Sequence, residues 1–137
     1  MIDPSPRYPL FQNAADKIKA ASGRPMADIT DEAALSGELV MADIQISAET
    51  LRAQAQVARQ AGYGQLAANL TRAAELTAVP NAEVLRMYGL LRPGRATQAE
   101  LVALAETLEA HYHAPECARL VREAASVYQS RGLVKTT

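Results

Sequence analysis

His111 and His113 bracket Tyr112, and Cys117 follows four positions after the second histidine. Imidazole nitrogens and a thiolate are suitable zinc donors. The spacing works against them: two histidines two positions apart point different ways on a helix, and a closed zinc site needs a fourth ligand. The chain has no second cysteine and no third histidine. The same residues could pair a thiol nucleophile with an imidazole base. Three residues of such common types do not specify a site. A small, buried thiol on the inner edge of the last helix, beside a polar helix end, accounts for them more simply.

The acidic residues offer no better constellation. Asp28, Asp31, Glu32, Glu75, Glu100, Glu106 and Glu109 lack the spacing of a calcium or magnesium loop. Glu106 and Glu109 flank Leu108 on a helix that is apolar along its other side, as on a solvated face. Gly62-Tyr63-Gly64 reads as a turn between helices and not as a phosphate cradle. No catalytic, cofactor-binding or metal-ligating residue is expected in this chain.

The elements that would position any site are helical. Residues 1–46 read as an irregular arm, because Pro4, Pro6, Pro9 and Pro25 fix φ and restrict the residues before them. Tyr8, Leu10 and Phe11 are its apolar anchors. One short helix is predicted after Thr30, an N-cap followed by Asp31 and Glu32, ending at Gly37. Residues 47–137 form the helical body. Ser47 caps its first helix and Gly62 closes it. Leu66, Leu70, Ala73, Ala74 and Thr77 give the next stripe, which Pro80 ends. Asn81 is the predicted cap of a helix whose face is Val84, Leu85, Tyr88 and Leu91. Thr97 and Glu100 have capping-box spacing before Leu101, Leu104, Leu108 and Tyr112. Pro115 opens a last helix lined by Leu120, Val121, Ala124, Val127 and Tyr128 until Gly132. With no sustained period-two alternation, the fold class is all-α: a single small domain of about five main helices.

Composition sets further bounds. The apolar fraction is 49%, but 28 of those residues are Ala, Phe11 is the sole Phe, and Trp is absent. Alanine favours helix and close helix approach while burying little area, so a modest core and a stabilising partner are expected. The net charge of −1 and pI near 6.1 give no reason to expect nucleic acid or an anionic membrane as partner. One cysteine rules out an internal disulfide, and no apolar run approaches the roughly 20 residues of a membrane span. A cytoplasmic protein is expected. Residues 65–88 imitate a DNA-binding helix-turn-helix, but Ala78 stands where the turn usually carries Gly. The would-be recognition helix offers Arg86 against Glu83 and few groups suited to base edges.

Four blocks carry a more specific signal. They are Tyr8-Pro-Leu10; Ile46-Ser-x-Glu-Thr-Leu-Arg-x-Gln-Ala55; Leu66-Ala-x-Asn-x-x-Arg-Ala-Ala-Glu-Leu-Thr-Ala-Val-Pro80; and Leu90-x-Arg-Pro through Glu100-Leu-x-x-Leu-Ala to Val121-Arg-Glu-Ala-Ala125. In order and spacing, over nearly the whole chain, they resemble the small subunit of adenosylcobalamin-dependent diol and glycerol dehydratases. The resemblance implies a dimer of heterotrimers of large, medium and small subunits. The large subunit, a β/α barrel, would hold the diol and metal ions, with adenosylcobalamin between it and the medium subunit. Radical dehydration of a 1,2-diol to an aldehyde and water makes such an assembly a carbon–oxygen lyase. The small subunit would supply no catalytic residue and bind no cofactor itself.

On that resemblance, the expected contact with the large subunit uses the Val79-Pro80 corner, Tyr88, Arg92 and Arg95, since tyrosine and arginine are favoured interface anchors. The alternative is that Tyr88 belongs to the core and both arginines cap helix ends. The chain departs from the family at Gly94, where an aromatic residue is expected. It also has only seven residues before Tyr8, so packaging in a bacterial microcompartment through a long N-terminal extension is not expected, though another subunit could provide it. A stand-alone helical protein-binding adaptor is the competing reading.

Overall fold

Helices account for the regular structure of this chain, whose computed structural model describes residues 7–136. No β-strand occurs among the described residues; Lys19 and Pro25 make one isolated bridge. The all-α class is what the periodicity predicts. The chain divides into two compact units, Met1–Thr77 and Ala78–Thr137.

The first unit holds α1 (Leu10–Asn13), α2 (Asp31–Ser36), α3 (Met41–Ile44), α4 (Ala48–Gln60) and α5 (Gly64–Leu76). The Thr30 hydroxyl accepts the Ala33 N–H at 3.1 Å to start α2. Gly37 ends it with φ 79°, a conformation that glycine alone adopts at no steric cost. Ser47 caps α4 as expected, accepting the Thr50 N–H. Gly62, at φ 87°, turns the chain after α4. Its N–H reaches the Arg59 carbonyl, and the Tyr63 N–H reaches the Ala58 carbonyl. The short connection returns α5 alongside α4, and the two helices pack together.

The interior of this unit is alanine-rich. Helix α4 buries Ala53, Ala55 and Ala58, while α5 buries Ala67, Ala74 and the side chain of Glu75. Leu10 and Ile18 of the arm close over Ala53, with Met26 and Val57 half-buried against them. The predicted α5 stripe holds at Ala74, which is buried, and is corrected elsewhere: Leu66 is half exposed, Ala73 is exposed, and Ala67 faces inward. Close approach of small residues decides which face is covered.

The second unit contains α6 (Asn81–Leu90), α7 (Gln98–Ala110) and α8 (Pro115–Arg131). Asn81 is the first residue of α6 and not its cap; Pro80 precedes it in extended conformation and no side chain caps the helix. At α7 the capping box forms as read. The Glu100 N–H donates to the Thr97 hydroxyl, and the Thr97 N–H donates to the Glu100 carboxylate. Leu101, Leu104, Ala105 and Leu108 are buried on α7, as are Cys117, Ala118, Val121 and Ala125 on α8, and these helices pack on each other. Pro115 opens α8 and Gly132, at φ 68°, closes it. Cys117 and Val121 are buried as predicted, but the α8 face is completed by Ala118 and Ala125, leaving Leu120 and Val127 exposed.

Candidate partner interface

The chemistry-bearing residues near the α7–α8 turn do not build a reaction centre. Cys117 is buried in the first turn of α8. His111 follows α7 and packs edge-to-face on Tyr112, with ring centroids 4.7 Å apart. His113 is exposed and turns the chain at φ 52°. Among the described residues, no three His, Cys, Asp or Glu side chains gather where they could hold an ion.

What both units present is uncovered apolar surface. On α6 the inward residue is Met87, while Leu85 is 72% exposed and Tyr88 62%. The predicted face of Val84, Leu85, Tyr88 and Leu91 is corrected accordingly, and Tyr88 is not a core residue. Positions 85 and 88 share one stripe of α6. Arg92 lies just past the end of α6 and is exposed. On the neighbouring flank, the Arg86 guanidinium donates to Glu83 at 3.1 Å. That hydrogen bond holds the Glu83 carboxyl below the usual range.

The remaining candidate residues are placed as follows. Val79 is 5% exposed, so its side chain belongs to the interior, whereas Pro80 beside it is exposed. Arg92 and Arg95 stand at the two ends of a tight turn, closed by the Arg95 N–H on the Arg92 carbonyl at 3.1 Å. Pro93 occupies its second position and Gly94, at φ 76°, its third. This is the pattern of a type II turn. Gly94 is therefore demanded by the backbone, and a Cβ there would meet nothing within 4 Å. An aromatic side chain at this position would be strained and directed into open space.

The first unit carries a second exposed apolar surface that periodicity did not isolate. Val40, Met41, Ile44 and Ile46 are 58%, 67%, 66% and 70% exposed. Ile46 also lines a groove of about 400 Å³ with Ile18, Met26, Ile29 and Leu51. The signal was the apolar density of residues 39–46, which has neither a helical nor a strand period.

Asp43 holds that ledge in place. Its carboxylate is buried and accepts hydrogen bonds from the Ser22 hydroxyl and from the Val40 N–H at 2.8 Å. The Arg24 guanidinium lies 3.2 Å from the same carboxylate and also donates to the Glu38 carbonyl. The Ser22 bond, then the Val40 bond, with Arg24 adding to both, hold the Asp43 carboxyl below the usual carboxylate range.

Both units thus expose contiguous apolar side chains, the kind of surface that marks an interaction site. Comparison with known proteins points the same way. Residues 4–135 match the family described as Dehydratase small subunit. The propanediol dehydratase small subunit of Citrobacter freundii is 45% identical over 128 residues, which is 93% of this chain and 74% of that protein. The propanediol dehydratase small subunit of Salmonella typhimurium is 45% identical over the same shares. The chain belongs to the dehydratase small-subunit family.

Proposed function

We propose that this chain is the non-catalytic small subunit of an adenosylcobalamin-dependent diol or glycerol dehydratase, packed on the large catalytic subunit and stabilising it. The identity of 45% across 93% of the chain to propanediol dehydratase small subunits supports the reading. The assembly it joins would also contain a medium subunit, and would dehydrate a 1,2-diol to an aldehyde by a radical route. It would lie in the cytoplasm, where another subunit could bring it into a microcompartment.

The residues of this chain do not fit the cofactor. Cobalamin needs a large cavity and a donor to cobalt. Cys117 is buried, His111 and His113 stand on an exposed turn, and the groove of about 400 Å³ suits a ligand no larger than a drug. The proposal therefore assigns adenosylcobalamin to the other subunits and draws no chemical step through this one.

Within the assembly, Tyr88, Arg92 and Arg95 are the proposed contacts, with Pro80 at the rim. Val79 supports that corner from inside. Exposed tyrosine and arginine supply large contact area and forked hydrogen bonding. Co-expression with the large and medium subunits, followed by purification through a tag on the large one, tests the proposal. Equal recovery of all three chains supports it, and consistent loss of this chain during purification refutes it. Arg92→Ala is expected to reduce recovery with the partner while leaving the melting temperature of the isolated chain unchanged. A lowered melting temperature with full recovery would make Arg92 a helix cap only.

A further inference from the structure

The proposed contact surface includes cations that lie far apart in sequence. The Gly94 N–H donates to the Leu133 carbonyl at 2.7 Å, and the Lys135 N–H donates to the Ala96 carbonyl at 2.8 Å. The Tyr128 hydroxyl donates to the Leu91 carbonyl at 2.7 Å, holding the end of α8 against the end of α6. These three bonds bring Arg92, Arg95, Arg131 and Lys135 to one end of the second unit, although α7 and most of α8 separate them along the chain. All four side chains are exposed.

Lys135 lies near enough to Glu100 for its charge to help hold that carboxyl below the usual range, whereas the three corner arginines make no ion pair among the described residues. Elsewhere in the unit Arg86 pairs with Glu83, Arg119 with Glu116 and Arg122 with Glu109. The Glu100 carboxylate is engaged mainly by the Thr97 N–H at 2.7 Å, so Lys135 faces it without a direct ion pair. The helix dipole explains a cation at the end of α6 and of α8, which covers Arg92 and Arg131. Arg95 and Lys135 sit on connecting chain and have no such reason. Gathered like charges repel, so the cluster gains most from an anionic partner.

We propose that this corner docks an Asp- and Glu-rich surface of the partner subunit, with Leu85 and Tyr88 seated in apolar surface beside it. The inference rests on the small-subunit reading above. Charge complementarity selects the occupant: an arginine fork pairs with a carboxylate through two parallel hydrogen bonds. Two exposed apolar side chains beside the cations suit a protein surface, where such anchors carry binding energy. Nucleic acid is the weaker match, because a chain of net charge −1 has no long-range attraction for a polyanion.

The test uses the three-subunit assembly with the small subunit as wild type, as the Arg95→Glu/Lys135→Glu double variant, and as Lys17→Glu, an equal charge change per site in the first unit. The wild type is expected to bind the partner with an affinity that falls as salt is raised. The double reversal should weaken it about a hundredfold, with an unchanged melting temperature of the free chain and Lys17→Glu behaving as wild type. If the reversal lowers the melting temperature, the neutral pair Arg95→Gln/Lys135→Gln reads the same contact and should weaken binding about tenfold. A wild type that assembles, with variants that bind equally well, overturns the docking and leaves the small-subunit reading standing. A wild type that fails to assemble overturns both. Binding of a fluorescent DNA duplex as tightly as the subunits, lost on the same reversal, overturns it in favour of phosphate. A salt-sensitive dimer of the free chain, lost on that reversal, overturns it in favour of a second copy.

Discussion

At Asp43 a buried carboxylate draws together the Ser22 hydroxyl, the Val40 N–H and the Arg24 guanidinium, which are scattered over an otherwise irregular stretch. All three partners favour its charged form, so the folded carboxyl titrates below the ordinary value of about 4. The stability it provides is complete above that value and is lost as pH falls through the lower, folded one. Asp43→Asn should therefore destabilise the chain near neutrality. The difference in melting temperature from wild type should shrink as pH is lowered from about 6 to about 3. A difference independent of pH would mean that the side chain acts through shape and not charge. Tyr128 gives a second test at this scale. Tyr128→Phe removes one hydrogen bond to the Leu91 carbonyl and should cost about 1 kcal/mol in denaturant unfolding. No loss would mean that water replaces the hydroxyl there.

Helix boundaries were largely legible because caps are local. Thr30, Ser47, the Thr97–Glu100 box, Pro115 and the glycines at 37, 62 and 132 each act within one turn of their own position. Faces were less legible. With 28 alanines in the chain, several rotations of a helix satisfy the same apolar pattern. Tight packing placed Ala67 and Ala118 inside while Leu66, Leu85 and Leu120 stayed out. Only α7, whose leucines are spaced four and three apart, had one choice. Asp43 and the corner of Arg92, Arg95, Arg131 and Lys135 depend on contacts between segments distant in sequence, which periodicity does not encode. Thr97→Ala should cost about 1 kcal/mol by opening the α7 cap, and Leu104→Ala about 2–5 kcal/mol by emptying part of its packed stripe. Val102→Ala, on the part-exposed side, should lie within about 0.5 kcal/mol of wild type. Equal losses at Leu104 and Val102 would contradict the assigned face.

For the whole molecule, the alanine interior and the exposed residues belong to one account. The first unit packs largely through small residues, and across both units Leu85, Tyr88, Val40, Met41, Ile44 and Ile46 stay outward. Each exposed apolar side chain is area that a partner could cover, and binding that covers it would add to the stability of the folded chain. No helix among the described residues is long and apolar enough to cross a membrane, so a bilayer is not what covers these residues through a spanning helix. The central claim is that the chain belongs to a catalytic assembly without performing the chemistry. The most direct test is the adenosylcobalamin-dependent rate of aldehyde formation by the co-expressed large and medium subunits, with and without this chain, followed over time at working temperature. The account predicts that omission shortens the active lifetime of the enzyme, and that adding the purified chain restores it in a one-to-one ratio with the large subunit. An identical rate and lifetime without the chain would contradict it.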